Sequence, residues 1–247
     1  MFKRNPIRKT HKGCLLMITG VFFCCFLFAG IKRMPGDKSQ PVDCLNGISS
    51  IPVSTIDAVI NPESERWIKQ LQEINTDVVG WLRIEGTNID GPILQAEDNT
   101  KYLTAGYDGA ENPAGAVFLD YECERNFSGQ HNILYGHNMK DGSMFHDLVN
   151  FKKKSYYRSH QNITVYTPVT EIHLRPVAVV CTEADGIRRR TDFFDMTALG
   201  EYVESMLEGG LYKEEQENDI TRLWSFVTCS YEFDNARTIL YARECGP

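Results

Sequence analysis

Between residues 78 and 242 the chain breaks into eight short runs rich in β-branched and aromatic residues, separated by clusters of Gly, Pro, Asn and Asp. The runs are Val78–Ile84, Ile89–Leu94, Ala116–Tyr121, Asn132–Tyr135, Ile163–Tyr166, Glu171–Cys181, Leu223–Thr228 and Thr238–Ala242. Their length and composition read as strands, and many short strands in succession point to a closed barrel or a sandwich. Two helices accompany them. The first opens at Asn61-Pro62, where Asn61 can cap, Pro62 suits the first helical position, and Glu63 and Glu65 favour the positive end of the helix dipole. Trp67, Ile68, Leu71 and Ile74 follow at helical spacing, an apolar face expected to pack on the strands. The second helix interrupts the strands late. Leu199, Tyr202, Val203, Met206 and Leu207 keep helical spacing, Asp195 is the expected cap, and Gly209-Gly210 stops it. The fold class is therefore mainly β, with an N-terminal helix and an inserted helix. One domain, residues 61–247, accounts for this body.

Upstream, residues 14–31 run eighteen positions without a charge, the length needed to cross the hydrocarbon core as a helix. Five Lys or Arg precede that run within the first twelve residues, so residues 1–13 form a basic cytoplasmic tail and the body lies outside the cell. Lys32-Arg33 follows directly, without an Ala-x-Ala site, which favours an uncleaved signal anchor over a cleaved signal peptide. Residues 32–60, with Pro35, Gly36, Pro41, Gly47 and Pro52, read as a spacer. Charge divides along the same line. Seven of the 26 Lys and Arg lie in the first 33 residues, which carry no acid; 19 bases against 33 acids remain, a net of −14 for residues 34–247. A body this acidic is ill suited to gripping phosphate backbones, so nucleic acid is excluded as a partner.

Cys14, Cys24 and Cys25 belong to the apolar segment, leaving Cys44, Cys123, Cys181, Cys229 and Cys245 outside it. No C-x-x-C pair occurs, so a zinc ribbon or a dithiol redox site has no support. Five is odd, and an unpaired exported thiol is either a small buried hydrophobe or a reactive group. Cys229 has the context for reactivity. An apolar strand ends at it, a polar loop follows, and a second apolar strand opens at Arg237. Paired as an antiparallel hairpin, the two strands would set a thiol beside a guanidinium, which stays charged and can donate to an oxyanion. The alternative is a buried structural cysteine beside a solvated loop arginine.

A third candidate comes from Asn132-Ile133-Leu134-Tyr135-Gly136-His137, a strand that runs into a Gly-His loop. A histidine at a strand end can exchange protons near neutral pH, and a Cys and a His far apart in sequence are what nucleophilic catalysis on a folded scaffold looks like. The other histidines, His11, His131, His146, His160 and His173, sit in contexts that suggest solvated surface or strand positions.

From about Asn75 to Arg243 the chain resembles a sortase, and within that family class B. The resemblance is carried by Tyr135-Gly136-His137-Asn138-Met139, by Thr228-Cys229 at the end of its strand, and by Arg237 opening the next. The late helix, the helix from Pro62 and the apolar anchor match as well. Where the family reads Thr-Leu-x-Thr-Cys, this chain reads Ser225-Phe226-Val227-Thr228-Cys229. The resemblance implies a closed eight-stranded barrel on the extracellular side of a Gram-positive type membrane. It also implies a cysteine transpeptidase that cleaves a C-terminal sorting signal of surface proteins after Thr. A thioester would then be resolved by an amine of a peptidoglycan precursor or a pilin lysine. In the implied roles Cys229 is the nucleophile, His137 the general acid and base, and Arg237 the oxyanion donor, while Asn99 matches a binding position near the site. No metal or organic cofactor is implied. A thiol of ordinary acidity is only a few per cent thiolate at neutral pH, so slow turnover and a bell-shaped pH profile are expected. Two other readings use the same residues: a cysteine peptidase that passes the acyl group to water, and an inactive barrel that only binds wall components.

Overall fold

The computed structural model describes residues 62–212 and 220–245. The tail, anchor and spacer expected over residues 1–60 and the cap expected at Asn61 lie outside them. Among the described residues no helix is long and apolar enough to cross a membrane.

Eight strands form a closed barrel: β1 (Val78–Ile84), β2 (Asp90–Leu94), β3 (Val117–Leu119), β4 (His131–Tyr135), β5 (Ile163–Tyr166), β6 (Glu171–Glu183), β7 (Leu223–Cys229) and β8 (Ala236–Glu244). Their order around the wall is β1-β2-β3-β4-β7-β8-β6-β5, closed by antiparallel pairing of β1 with β5. Closure decides barrel over sandwich, and it leaves no bare edge. The β2–β3 and β4–β7 pairs are parallel and the rest antiparallel. β6 and β8 outrun their apolar stretches because they pair with each other from Leu174↔Glu244 to Glu183↔Ala236. The ladder of backbone hydrogen bonds continues where the apolar side chains stop. β3 falls short of its run, being paired at only two positions on each side.

α1 (Pro62–Ile74) lies on β1, with Trp67 stacked on Trp81 at a centroid distance of 5.3 Å and Ile68 and Leu71 buried. Ile74, expected on that face, is 57% exposed at the end of the helix. Short helical pieces that the sequence reading did not assign, at 101–103, 146–152, 187–189 and α2 (Lys154–Ser159), lie in the connections. α3 (Met196–Leu207) is inserted between β6 and β7, and the Asp195 carboxylate caps it by accepting from Ala198 N at 2.8 Å.

Two apolar cores result. One is built around Leu82, Ile93, Phe127, Leu134, Phe145, Trp224 and Phe226 and is joined by Leu148, Phe151 and Tyr157 from the β4–β5 connection. The other joins Leu199, Val203, Met206 and Leu207 of α3 to Val177, Ala178 and Val180 of β6, Leu223 of β7, and Ile239 and Tyr241 of β8. Residues of β7 and β8 contribute to both cores, so those strands are gripped from two directions where they carry Cys229 and Arg237.

Candidate active site

The strand register brings three residues to one level. Cys229 and Arg237 are paired across the antiparallel β7–β8 hairpin, and cross-strand partners share a face. β4 and β7 run parallel with Tyr135 opposite Val227, so His137 and Cys229 each stand two residues beyond that pair. Three hydrogen bonds carry the alignment past the last ladder position: Gly136 N to Val227 O at 3.2 Å, Thr228 Oγ1 to Gly136 O at 2.8 Å, and Asn138 Nδ2 to Cys229 O at 2.9 Å. Neighbouring strands lie about 4.8 Å apart, so His137 and Arg237 flank the nucleophile candidate at side-chain reach.

Each side chain is half-buried. His137 Nε2 donates to Leu103 O at 2.8 Å, which leaves Nδ1 without a partner among the described residues and open to proton exchange. Arg237 Nη1 donates to Asn235 O at 3.2 Å and Ala236 O at 2.9 Å, so part of the fork is held by its own turn, while Nε and Nη2 have no partner among the described residues. Among the described residues no hydrogen bond or ion pair joins the three side chains. Such contacts commonly tighten only when substrate is bound.

Glycines let the walls close in on the histidine. A Cβ on Gly136 would stand 2.7 Å from Phe145 Cγ, and one on Gly115, whose φ is +62°, would stand 2.4 Å from Tyr102 O and 3.2 Å from the His137 ring.

Among the described residues no hydrogen bond joins Asn99 to the three. Its Nδ2 donates to Asp120 Oδ2 at 2.9 Å and its Oδ1 accepts from Tyr121 N at 3.1 Å. Asp120 is a centre that sequence reasoning missed. It is fully buried and accepts two bonds from Arg189, Nε to Oδ2 at 2.9 Å and Nη2 to Oδ1 at 3.0 Å, besides Tyr135 Oη at 2.7 Å and Glu122 N at 3.0 Å. Burial alone would raise its pKa, but the Arg189, Glu122 and Tyr135 hydrogen bonds prevail and hold it below the usual carboxylate range. The pair ties the segment between β6 and α3 to the end of β3, and the Tyr135 bond extends the tie to β4, the strand that leads to His137. The only trace of it in the sequence is an acid closing an apolar run, Val117-Phe118-Leu119-Asp120.

The remaining histidines and cysteines separate by environment. His131 is a strand residue as expected, yet it is fully buried rather than solvated, held by Arg190 O at 2.8 Å and Ser225 Oγ at 2.6 Å. His146 is half-buried in a short helical turn rather than on a strand, with Nδ1 donating to Asn138 Oδ1 at 2.9 Å. Cys123 is the small buried hydrophobe, its thiol pushed up to about 12 by burial. The thiol of Cys181 is also raised by burial, and Cys245 is disulfide-bonded. Among the described residues no group of three or more His, Cys, Asp or Glu could hold a metal ion.

No family model matches the chain. It is 31% identical over 225 residues to sortase B of Listeria monocytogenes, covering 90% of this chain and 91% of that protein. Among solved structures it is similar to Bacillus anthracis sortase B, with 32% identity, a TM-score of 0.67, and coverage of 73% of this chain and 83% of the other. A Staphylococcus aureus sortase B–substrate complex is similar at 25% identity and a TM-score of 0.67, covering 73% of this chain and 85% of the other. A relative this similar along nine-tenths of its length carries more weight than any one motif, and the closed barrel agrees with it: the chain belongs to the sortase B family and is a sortase-type cysteine transpeptidase.

Proposed function

We propose that this enzyme cleaves a C-terminal sorting signal of surface proteins after Thr and transfers the protein to an amine of peptidoglycan or a pilin lysine. The Cys229 thiolate attacks the Thr carbonyl, and Arg237 donates to the oxyanion that develops. His137 gives a proton to the departing amine as the C–N bond breaks, leaving a thioester. It then takes a proton from the incoming amine, whose attack forms the new amide and releases Cys229. Asn99 is proposed for substrate binding on the loop after β2. The Cys229↔Arg237 register pair, with Thr228 Oγ1 bonded to Gly136 O beside it, is the observation that carries these roles.

In the proposed organisation residues 1–13 are a cytoplasmic tail, 14–31 a transmembrane anchor, 32–60 a spacer and 61–247 the catalytic domain on the outer surface of a Gram-positive type cell. Charge along the chain supports it, since the bases precede and close the apolar run while the acids lie beyond it.

The test is intact-mass spectrometry of the full chain with a pool of Thr-containing sorting-type peptides, with and without a simple amine, beside Cys229→Ala. An adduct absent from Cys229→Ala and discharged by the amine into an amide is expected. Cleavage to acids alone, with amine present, would make the chain a hydrolase.

A further inference from the structure

Resting on the reading above, we propose that Asn138, held by His146, is a positioning residue for acyl transfer that fixes the nucleophile's peptide plane and its spacing from His137. β4 ends at Tyr135 while β7 continues to Cys229, so on its β4 side the last carbonyl of β7 has no strand partner. The Asn138 side chain takes the place of the missing strand, with Nδ2 donating to Cys229 O at 2.9 Å. A bond at that oxygen restrains the backbone on which the thiol is mounted. Asn138 directly follows His137, so one residue couples the acid–base group to the nucleophile.

The amide itself is held from behind. His146 Nδ1 donates to Asn138 Oδ1 at 2.9 Å, which leaves only the Nδ2 end to face the Cys229 carbonyl and so fixes the flip of the amide. The turn that brings His146 back is closed by Phe145 N donating to His137 O at 2.8 Å and by a bridge between Asn138 and Met144. Met144 there holds a φ of +55°, a left-handed conformation that a side chain other than glycine adopts rarely. The turn therefore bends sharply enough for residue 146 to reach the side chain of residue 138. A bond from a side chain one residue past the histidine to the carbonyl of the cysteine acts on geometry, and misplacement of reacting groups by about 1 Å costs on the order of a hundredfold in rate.

The experiment compares the full chain with Asn138→Ala, His146→Ala, His146→Asn and His146→Asp, using the peptide that acylates the unsubstituted protein. Its readouts are single-turnover acylation, KM, and amide exchange at Ser230, whose N–H donates to Ala236 O just past the nucleophile. Asn138→Ala is expected to slow acylation about tenfold or more with KM changed less than about threefold, and to speed exchange at Ser230. An asparagine at 146 places an N–H where His Nδ1 stands, so His146→Asn is expected to recover most of the rate. His146→Asp, which cannot donate when ionised, falls with His146→Ala. The proposal is overturned by Asn138→Ala acylating within about twofold of the unsubstituted protein, or by His146→Asn and His146→Asp acting alike. If Asn138→Ala does not fold, the Asn and Asp variants at 146 decide. If the unsubstituted protein forms no acyl-enzyme, the functional reading has failed, and unchanged Ser230 exchange in Asn138→Ala would overturn the anchoring as well.

Discussion

The ring of His131 is held at both nitrogens in the interior: the Arg190 carbonyl takes the Nδ1 proton, so Nε2 accepts from the Ser225 hydroxyl. Burial lowers its pKa from 6.5 to about 4, only partly offset by the Arg190 bond and the field of Asp120. The sign follows from which state binds the proton. Between pH 6.5 and about 4 the unfolded chain is protonated and the folded one is not, so stability is full above 6.5 and falls with pH through that window. The loss amounts to on the order of 3 kcal/mol. In an NMR titration the folded-state His131 signal should stay neutral below pH 5.5, and a midpoint near 6.5 would refute this account. Asp120 works in the same direction at lower pH, because its depressed pKa removes stability as the medium falls below the ordinary carboxylate range. Asp120→Asn leaves the Arg189 charge with only the half-exposed Glu122 carboxylate as an ion partner, over a position that is itself 0% exposed. Urea unfolding should show a loss of roughly 2–4 kcal/mol, moderated because the Arg189 side chain is 40% exposed to water. Neither joint is legible in the sequence, since the partners of His131 lie 59 and 94 residues away and Arg189 lies 69 residues from Asp120. The Cys229–Arg237 pair was legible because a single hairpin makes it.

Among the elements, the β4–β5 connection shapes the site most and left the faintest trace in the sequence. Its 146–152 turn and α2 have no side-chain cap bond and span only a few residues each, too few for a helical period to stand out. They hold by burying Leu148, Phe151 and Tyr157 against the core. α3, by contrast, was read to its cap and its glycine stop because twelve residues repeat one apolar face. The seam between strand and connection is tightest at Gly136, where a side chain would strike the Phe145 ring. Gly136→Ala should therefore cost about 1–3 kcal/mol of stability by overpacking. Because the ring it displaces follows the His137 loop, acylation should fall further than stability alone explains. Acylation at a temperature where the variant is fully folded by circular dichroism measures that excess, and an unaltered rate would show that Gly136 serves packing only.

At the scale of the whole chain, the strand inventory could be read locally but the wall order could not. β4 and β7 are parallel neighbours 92 residues apart at His131↔Leu223, a pairing that periodicity never reports. That is why His137 entered as a candidate through its chemistry and the family resemblance, while the register that sets it beside Cys229 emerged only with the closed barrel. The charge pattern, in turn, bears on where this barrel works. An eighteen-residue apolar run is long enough to hold a chain in a bilayer, while a body with a net of −14 is repelled by anionic lipid and gains nothing from adsorbing to it. Attachment should then depend on residues 14–31 alone and be insensitive to salt. The full chain expressed in a Gram-positive host should sediment with membranes and stay there through 1 M salt and alkaline carbonate. A version beginning at residue 61 and carrying a cleavable export signal should be released. Recovery of the full chain from the medium, with a mass showing a new N-terminus beyond residue 33, would mean that the apolar run is removed as a signal and that the enzyme meets its acceptor without an anchor.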